Sequence, residues 1–194
     1  MGQEFELKFS ATQAQQEAIF AAWGPWQEIK METTYYDTPQ RTLSERHVTL
    51  RRRMENGVSV CTVKTPAADG ARGEWECQCS DIRSALSRLH SLGAPDYVAA
   101  LASEDLISVC GARFTRRACT LRLEDAVVEL ALDRGVLLGG EREIPLCEVE
   151  AELKEGSRDA VIRFAGTLAA QYGLQPESHS KFRRAAALAE GEIL

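Results

Sequence analysis

The chain has 194 residues, 44% apolar and 27% charged, with a formal net charge of −6 at pH 7, enough for one packed domain spanning 1–194 that no Pro/Gly/Ser-rich linker divides. The acidic balance argues against nucleic acid or an anionic membrane as the main partner, because both are bound through basic surface. No run of about 18 apolar residues occurs, and no basic start precedes an apolar core, so the sequence reads as neither membrane-spanning nor secreted and a cytoplasmic location is expected.

In chain order, "EFELKFS" at 4–10 sets Glu4, Glu6 and Lys8 in alternation with Phe5, Leu7 and Phe9, which predicts a strand with one charged and one apolar face. Thr12 is placed to cap a helix over "QAQQEAIFAAW", which Gly24 and Pro25 stop. "ETTYYDTPQRTL" passes from strand into a turn at "DTP". "HVTLRRRMENGVSVCTVKT" predicts a hairpin turning at "ENG", and "RGEWECQCS" a further strand. Ser80 or Asp81 then caps the helix "IRSALSRLHSL", closed by Gly93, with a short helix over "DYVAALAS". "ARFTRRACTLRLE", "AVVELALDRG" and "REIPLCEVEAELKEG" predict three antiparallel strands. "SRDAVIRFAGTLAAQYG", capped by Ser157 and ended by Gly173, and "SKFRRAAALAE" predict the last helices. About eight strands and four or five helices make an α+β protein with a large antiparallel sheet.

The strands carry charge at even spacing. Arg51 and Arg53 share a face, as do Glu74 and Glu76, and as do Glu129 and Asp133. In "CEVEAELK" the residues Glu148, Glu150, Glu152 and Lys154 share one face and Val149, Ala151 and Leu153 the other, repeating the acid, acid, lysine order of the opening strand. Any one such face reads naturally as solvated. Taken together they suggest a barrel with a polar bore, because the helices carry apolar stripes that need an apolar sheet face to cover. Carboxylates along one part of that bore and Arg/Lys along another would suit a polyanion carrying Mg²⁺ or Mn²⁺.

The six cysteines form no CxxC pair and read as reduced thiols in apolar segments rather than as a disulfide framework or zinc site. His47, His90 and His179 have no ligand spacing, and no serine or cysteine lies in a nucleophile motif.

These residues resemble the CYTH superfamily, the triphosphate tunnel metalloenzymes. "EFELK" fits the ExExK signature, and "YYDTP", "TLRRR", "TVKT", "RGEWE", "FTRR", "ELALDRG", "CEVEAELKEG" and "SKFRRA" follow in family order. The resemblance implies an eight-stranded antiparallel barrel forming a tunnel, with a charged interior and helices packed outside. It implies Glu4, Glu6, Glu148, Glu150 and Asp133 as ligands of Mg²⁺ or Mn²⁺. Lys8, Arg51, Arg53, Lys64, Arg116 and Lys181 would grip phosphates, with Arg184 or Arg183 completing the set. Glu148, Glu150 and Lys8 would carry catalysis, and Glu74 and Glu76 would form a second acidic strand. Ala112 stands where relatives often carry a threonine. The implied activity is hydrolysis of inorganic triphosphate (tripolyphosphate), with a thiamine triphosphatase, a class IV adenylate cyclase or a non-catalytic polyphosphate- or nucleotide-binding module as alternatives. The partner is then a small polyanion, and a homodimer is compatible with the family. Some members continue into a second, helical domain, whereas this sequence stops at Leu194.

Overall fold

The alternating start of the chain forms two short strands rather than one, β1 (Gly2–Glu4) and β2 (Glu6–Ser10), interrupted at Phe5. The computed structural model describes residues 2–66, 72–192 and 194, and the side chains of residues 2–4 and 72 lie outside the described set. β3 (Gln27–Asp37), β4 (Thr49–Glu55), β5 (Val58–Pro66), β6 (Arg72–Gln78), β7 (Ile107–Arg122), β8 (Ala126–Gly139), β9 (Arg142–Gly156) and the two-residue β10 (Gln175–Pro176) complete one antiparallel sheet. Its hydrogen-bonded order is β1-β6-β5-β4-β3-β7-β8-β9-β2-β10. The sheet is therefore an open series, yet its two ends meet in one stretch of chain. β1 pairs with β6, β2 pairs with β9, and Leu153 N donates to Phe5 O at 2.9 Å between them. A tunnel results, completed through the N-terminal segment rather than by an unbroken ladder.

Local chemistry accounts for the helix boundaries. Thr12 accepts from Gln15 N while the Gln15 side chain accepts from Thr12 N, a complete capping box for α1 (Gln13–Ala22). Asp81, not Ser80, caps α3 (Ile82–Ser91) through Ser84 N at 2.7 Å. Gly173 at φ 67° ends α5 (Arg158–Tyr172). The turn at Asp37 was legible as a break, but the four-residue α2 (Thr42–Glu45) within it was not. Asp37 builds it, its carboxylate accepting from Thr38 N, Leu43 N and Ser44 N.

Helices cover the apolar outer face. Phe9, Val149, Ala151, Leu130 and Val128 pack beneath Ile19 of α1 and Val161, Ala165 and Leu168 of α5. Leu50, Cys61, Val63 and Trp75 pack beneath Leu86 and Leu89 of α3 and Val98 of α4 (Asp96–Ala100). The last helix, α6 (Lys181–Glu190), differs from the sequence expectation that every helix lies outside. Its Ala185 clusters with Met31, Ala112, Phe114, Leu137 and Leu146. By register these share the strand faces of Thr33, Arg116, Asp133 and Glu148, so α6 lies within the bore and closes one end of it. The reason is compositional: the inward rows of β7, β8 and β9 turn apolar and small at that end, as Ala112, Leu137, Ile144 and Leu146. Gly139 lets the helix in, since a Cβ there would fall 2.5 Å from Ala189 N and 2.6 Å from Ala185 O. Among the described residues no helix is long and apolar enough to cross a membrane.

Candidate active site

Strand register gathers the inward charges into rows. Glu6 pairs with Glu152 and Lys8 with Glu150 between β2 and β9, and Asp133 pairs with Glu148 and Glu129 with Glu152 between β8 and β9. On the other side, Arg51 faces Thr62, and Lys64 faces Glu74, across β4, β5 and β6. The rows surround a cavity of about 680 Å³. Lys8, Arg51, Arg53, Lys64, Arg116 and Lys181 line it, as do Glu6, Glu74, Glu76 and Glu150. The Glu4 side chain lies outside the described residues; its backbone closes β1 opposite Arg72.

Three predicted carboxylates converge more tightly than the strand pattern required. Asp133, Glu148 and Glu150 bring oxygens to within 4.8 Å of one another, and Asp133 and Glu148 have no exposed side-chain surface. Three buried carboxylates need cations. Arg116 supplies one, its Nε 2.8 Å from Asp133 Oδ1 and its Nη2 2.7 Å from Asp133 Oδ2, with a further short contact to Glu150. Lys181, the first residue of α6, supplies another, 2.8 Å from Asp133 Oδ2 and 2.6 Å from Glu150 Oε1 and paired also with Glu148. Arg184, one turn along α6, pairs with Glu148 and lies 3.3 Å from Glu177. It is 9% exposed and set behind the cavity wall, whereas Arg183 points to solvent.

Electrostatics separates the members of this group. Burial pushes the Glu150 carboxyl up, but the Lys181 ammonium and Arg116 guanidinium outweigh it and hold the group well below the usual carboxylate range. For Glu148 burial prevails and the carboxyl is raised. Burial would lower Lys181, yet Asp133, Glu150 and Glu148 keep it firmly protonated. Across the cavity, burial and the neighbouring Arg51 guanidinium push Arg53 below the ordinary arginine value, a stress that an anion would relieve. Beside it lies Glu55, whose Oε1 accepts from Nε at 2.6 Å. Glu74 lies 3.6 Å from Arg51 and 3.4 Å from Lys64, so the second acidic strand orients the basic wall.

The chemistry of the triad fits a hard divalent cation, being a compact set of oxygen donors. Lys181 and Arg116 pair with its carboxylates.

Several participants escaped the sequence reading. Gln16 of α1 is 1% exposed and donates from Nε2 to Asp133 O at 2.9 Å and Glu148 O at 2.8 Å, fixing the two acidic strands from outside. Its position three residues before Ile19, on the helix's apolar face, was the available signal. Glu129 and Lys154 were visible as charged-face residues and also line the cavity, Lys154 lying 2.8 Å from Glu152 and 3.7 Å from Glu129. Glu177 gave no pattern that marked it, and Phe114 and Phe182 stood inside the matched stretches "FTRR" and "SKFRRA" with no role assigned to them.

A family model described as the CYTH domain matches residues 2–186. The inorganic triphosphatase of Haemophilus influenzae is 27% identical over 170 residues, which cover 87% of this chain and 48% of that protein. The chain thus spans about half the length of that curated relative. A Hippeastrum protein named as a candidate adenylyl cyclase with a dominant triphosphatase activity superposes with TM-score 0.66 at 16% identity, covering 100% of this chain and 98% of that one. A Pyrococcus horikoshii protein superposes with TM-score 0.63 at 22% identity over 97% and 99% of the two chains. At such identities these two structures speak to the fold.

Proposed function

The chain belongs to the CYTH domain family, and from that premise we propose that it is a divalent-metal-dependent hydrolase of inorganic triphosphate. The observation that carries the reading is the cavity itself, which sets a basic wall of Arg51, Arg53 and Lys64 against the acidic wall of Glu6, Glu150 and Glu152. An anionic substrate would add its oxygens to the partners this wall already has, Glu74 beside Arg51 and Lys64 and Glu55 beside Arg53. Arg53, lowered by burial and Arg51, has the most to gain from a phosphate oxygen.

Asp133, Glu148 and Glu150, with Glu6 at the lumen, would hold Mg²⁺ or Mn²⁺, which when bound would neutralise phosphate oxygens. Arg51, Arg53 and Lys64 would grip the phosphates and stabilise charge developing on them. Of the two late carboxylates, Glu150 lines the cavity and Glu148 is enclosed, which supports Glu150 as the residue that would orient the attacking water. Glu150 would accept a hydrogen bond from that water. Lys8, paired in register with Glu150, sits where it can meet the same phosphate. The Haemophilus influenzae relative, an inorganic triphosphatase, supports this substrate over a nucleotide.

The test is phosphate release from tripolyphosphate, thiamine triphosphate and ATP, each with Mg²⁺, Mn²⁺ or EDTA. Tripolyphosphate should be the preferred substrate and EDTA should abolish release. Cyclic AMP from ATP would identify a cyclase, and tight tripolyphosphate binding without turnover under any divalent ion would identify a binding module. Either result overturns the proposal.

A further inference from the structure

Lys181 occupies the centre of the carboxylate triad. Its Nζ touches Asp133 and Glu150 at 2.8 and 2.6 Å and pairs with Glu148 as well, so one ammonium contacts all three acids. Those acids are the set whose oxygens lie within 4.8 Å of one another. A divalent cation bound there would meet an ammonium already in contact with each of its ligands, and like charges at that separation in a buried site repel strongly.

We propose that Lys181 is a tethered counter-ion that a divalent cation displaces from the triad, so that metal binding delivers the ammonium into the cavity, where it meets an anionic ligand. The inference rests on the metal-dependent reading of the site and adds an order of events to it. Three features make Lys181, rather than either arginine, the group that yields. Arg116 is clamped to Asp133 by two hydrogen bonds of 2.8 and 2.7 Å, and Arg184 is fixed between Glu148 and Glu177 behind the wall. Lys181, which lines the cavity as Arg116 does, by contrast carries a compact charge on a flexible stem. The Phe114 ring, another cavity-lining group, has its centroid 5.5 Å from Nζ and offers the ammonium a face to rest against. The helix need not move, because Ser180 caps it through Arg183 N at 3.1 Å independently of the lysine side chain.

The experiment uses the full chain and Mn²⁺ alone, with free Mn²⁺ followed by electron paramagnetic resonance and no phosphate compound present. Lys181→Gln should bind Mn²⁺ about tenfold or more tightly than wild type, the scale on which a single nearby charge shifts a buried site. Lys64→Gln, which removes a cavity cation paired with Glu74 rather than with the triad, should change the affinity far less. Unchanged or weaker binding by Lys181→Gln, or an equal gain in Lys64→Gln, overturns the proposal. Should Lys181→Gln fail to fold, wild-type crystals soaked in Mn²⁺ decide the matter by anomalous scattering. Mn²⁺ at the triad with Nζ more than about 4 Å from all three carboxylates supports displacement. Mn²⁺ at the triad with Lys181 still paired, or Mn²⁺ only elsewhere, refutes it. Phosphate release measured in parallel separates the two readings. Absent hydrolysis with the expected Mn²⁺ response removes the triphosphatase and leaves the displacement, and hydrolysis without that response does the reverse.

Discussion

Glu150 is a buried carboxylate that two cations hold ionised. It is 7% exposed, lines the cavity, and is gripped by Lys181 and Arg116. Burial pushes its carboxyl up, but these two cations prevail and its folded pKa lies well below the usual carboxylate value. At acid pH the unfolded chain therefore binds the proton more readily than the folded one. The stability contributed by ionised Glu150 is present above the ordinary glutamate value, about 4.3, and is lost as pH falls from there toward the folded value. Glu150→Gln should accordingly melt below wild type at pH 7, with the gap closing as pH is lowered toward 3. Thermal melts across that range check it, and a gap independent of pH would show that Glu150 is not held ionised by its cations. The residue's inward orientation was legible from the alternation of "CEVEAELK", because side chains of a strand switch faces at every step. Its grip by Lys181 was not, since the two residues lie 31 positions apart and meet only through the path of α6.

At the scale of elements, α6 matters most, because it carries Lys181 and Arg184 to the acidic strands. Its sequence, "SKFRRAAALAE", is amphipathic and would serve equally well on the outside of a sheet, so periodicity alone did not place it. What places it inside is the change in the inward rows from charged, at Glu148, Glu150 and Glu152, to apolar, at Ile144 and Leu146. Gly139 is the point of closest approach, and Gly139→Val should drive α6 away from β8. Overpacking of this kind costs about 1–3 kcal/mol, or a fall in melting temperature of roughly 2–12 °C for a chain of this size. Tripolyphosphate hydrolysis should fall with it, because Lys181 and Arg184 move with the helix. Calorimetry and a phosphate-release assay check both outcomes, and retained activity at lowered stability would show that the position of α6 is not needed for catalysis. The larger helices were legible because Thr12, Asp81 and Gly173 mark their ends chemically, whereas Ser157 stands at the start of α5 without a side-chain capping hydrogen bond. α2 and β10 were not, having four and two residues with no period to detect.

For the whole molecule, the opening "EFELKFS" segment acts as a seam. Its start pairs with β6 and its end with β9, which joins the basic and acidic walls of the tunnel. Glu6 and Lys8 face the cavity, and Phe9 packs against α5 and β9 outside. The inside-out assignment of charge was readable because several strands repeated the pattern. The interruption at Phe5 and the insertion of α6 depend on how distant strands meet, which no local pattern encodes. The proposed reaction is hydrolysis of tripolyphosphate in this tunnel by means of the acidic wall and a divalent cation. The direct measurement is a ³¹P NMR time course of tripolyphosphate with Mg²⁺, comparing wild type with the Glu6→Gln, Glu150→Gln double variant. Pyrophosphate and phosphate should appear in equal amounts, with the double variant slower by about a hundredfold or more. No conversion by wild type, or equal rates for the two proteins, would contradict it.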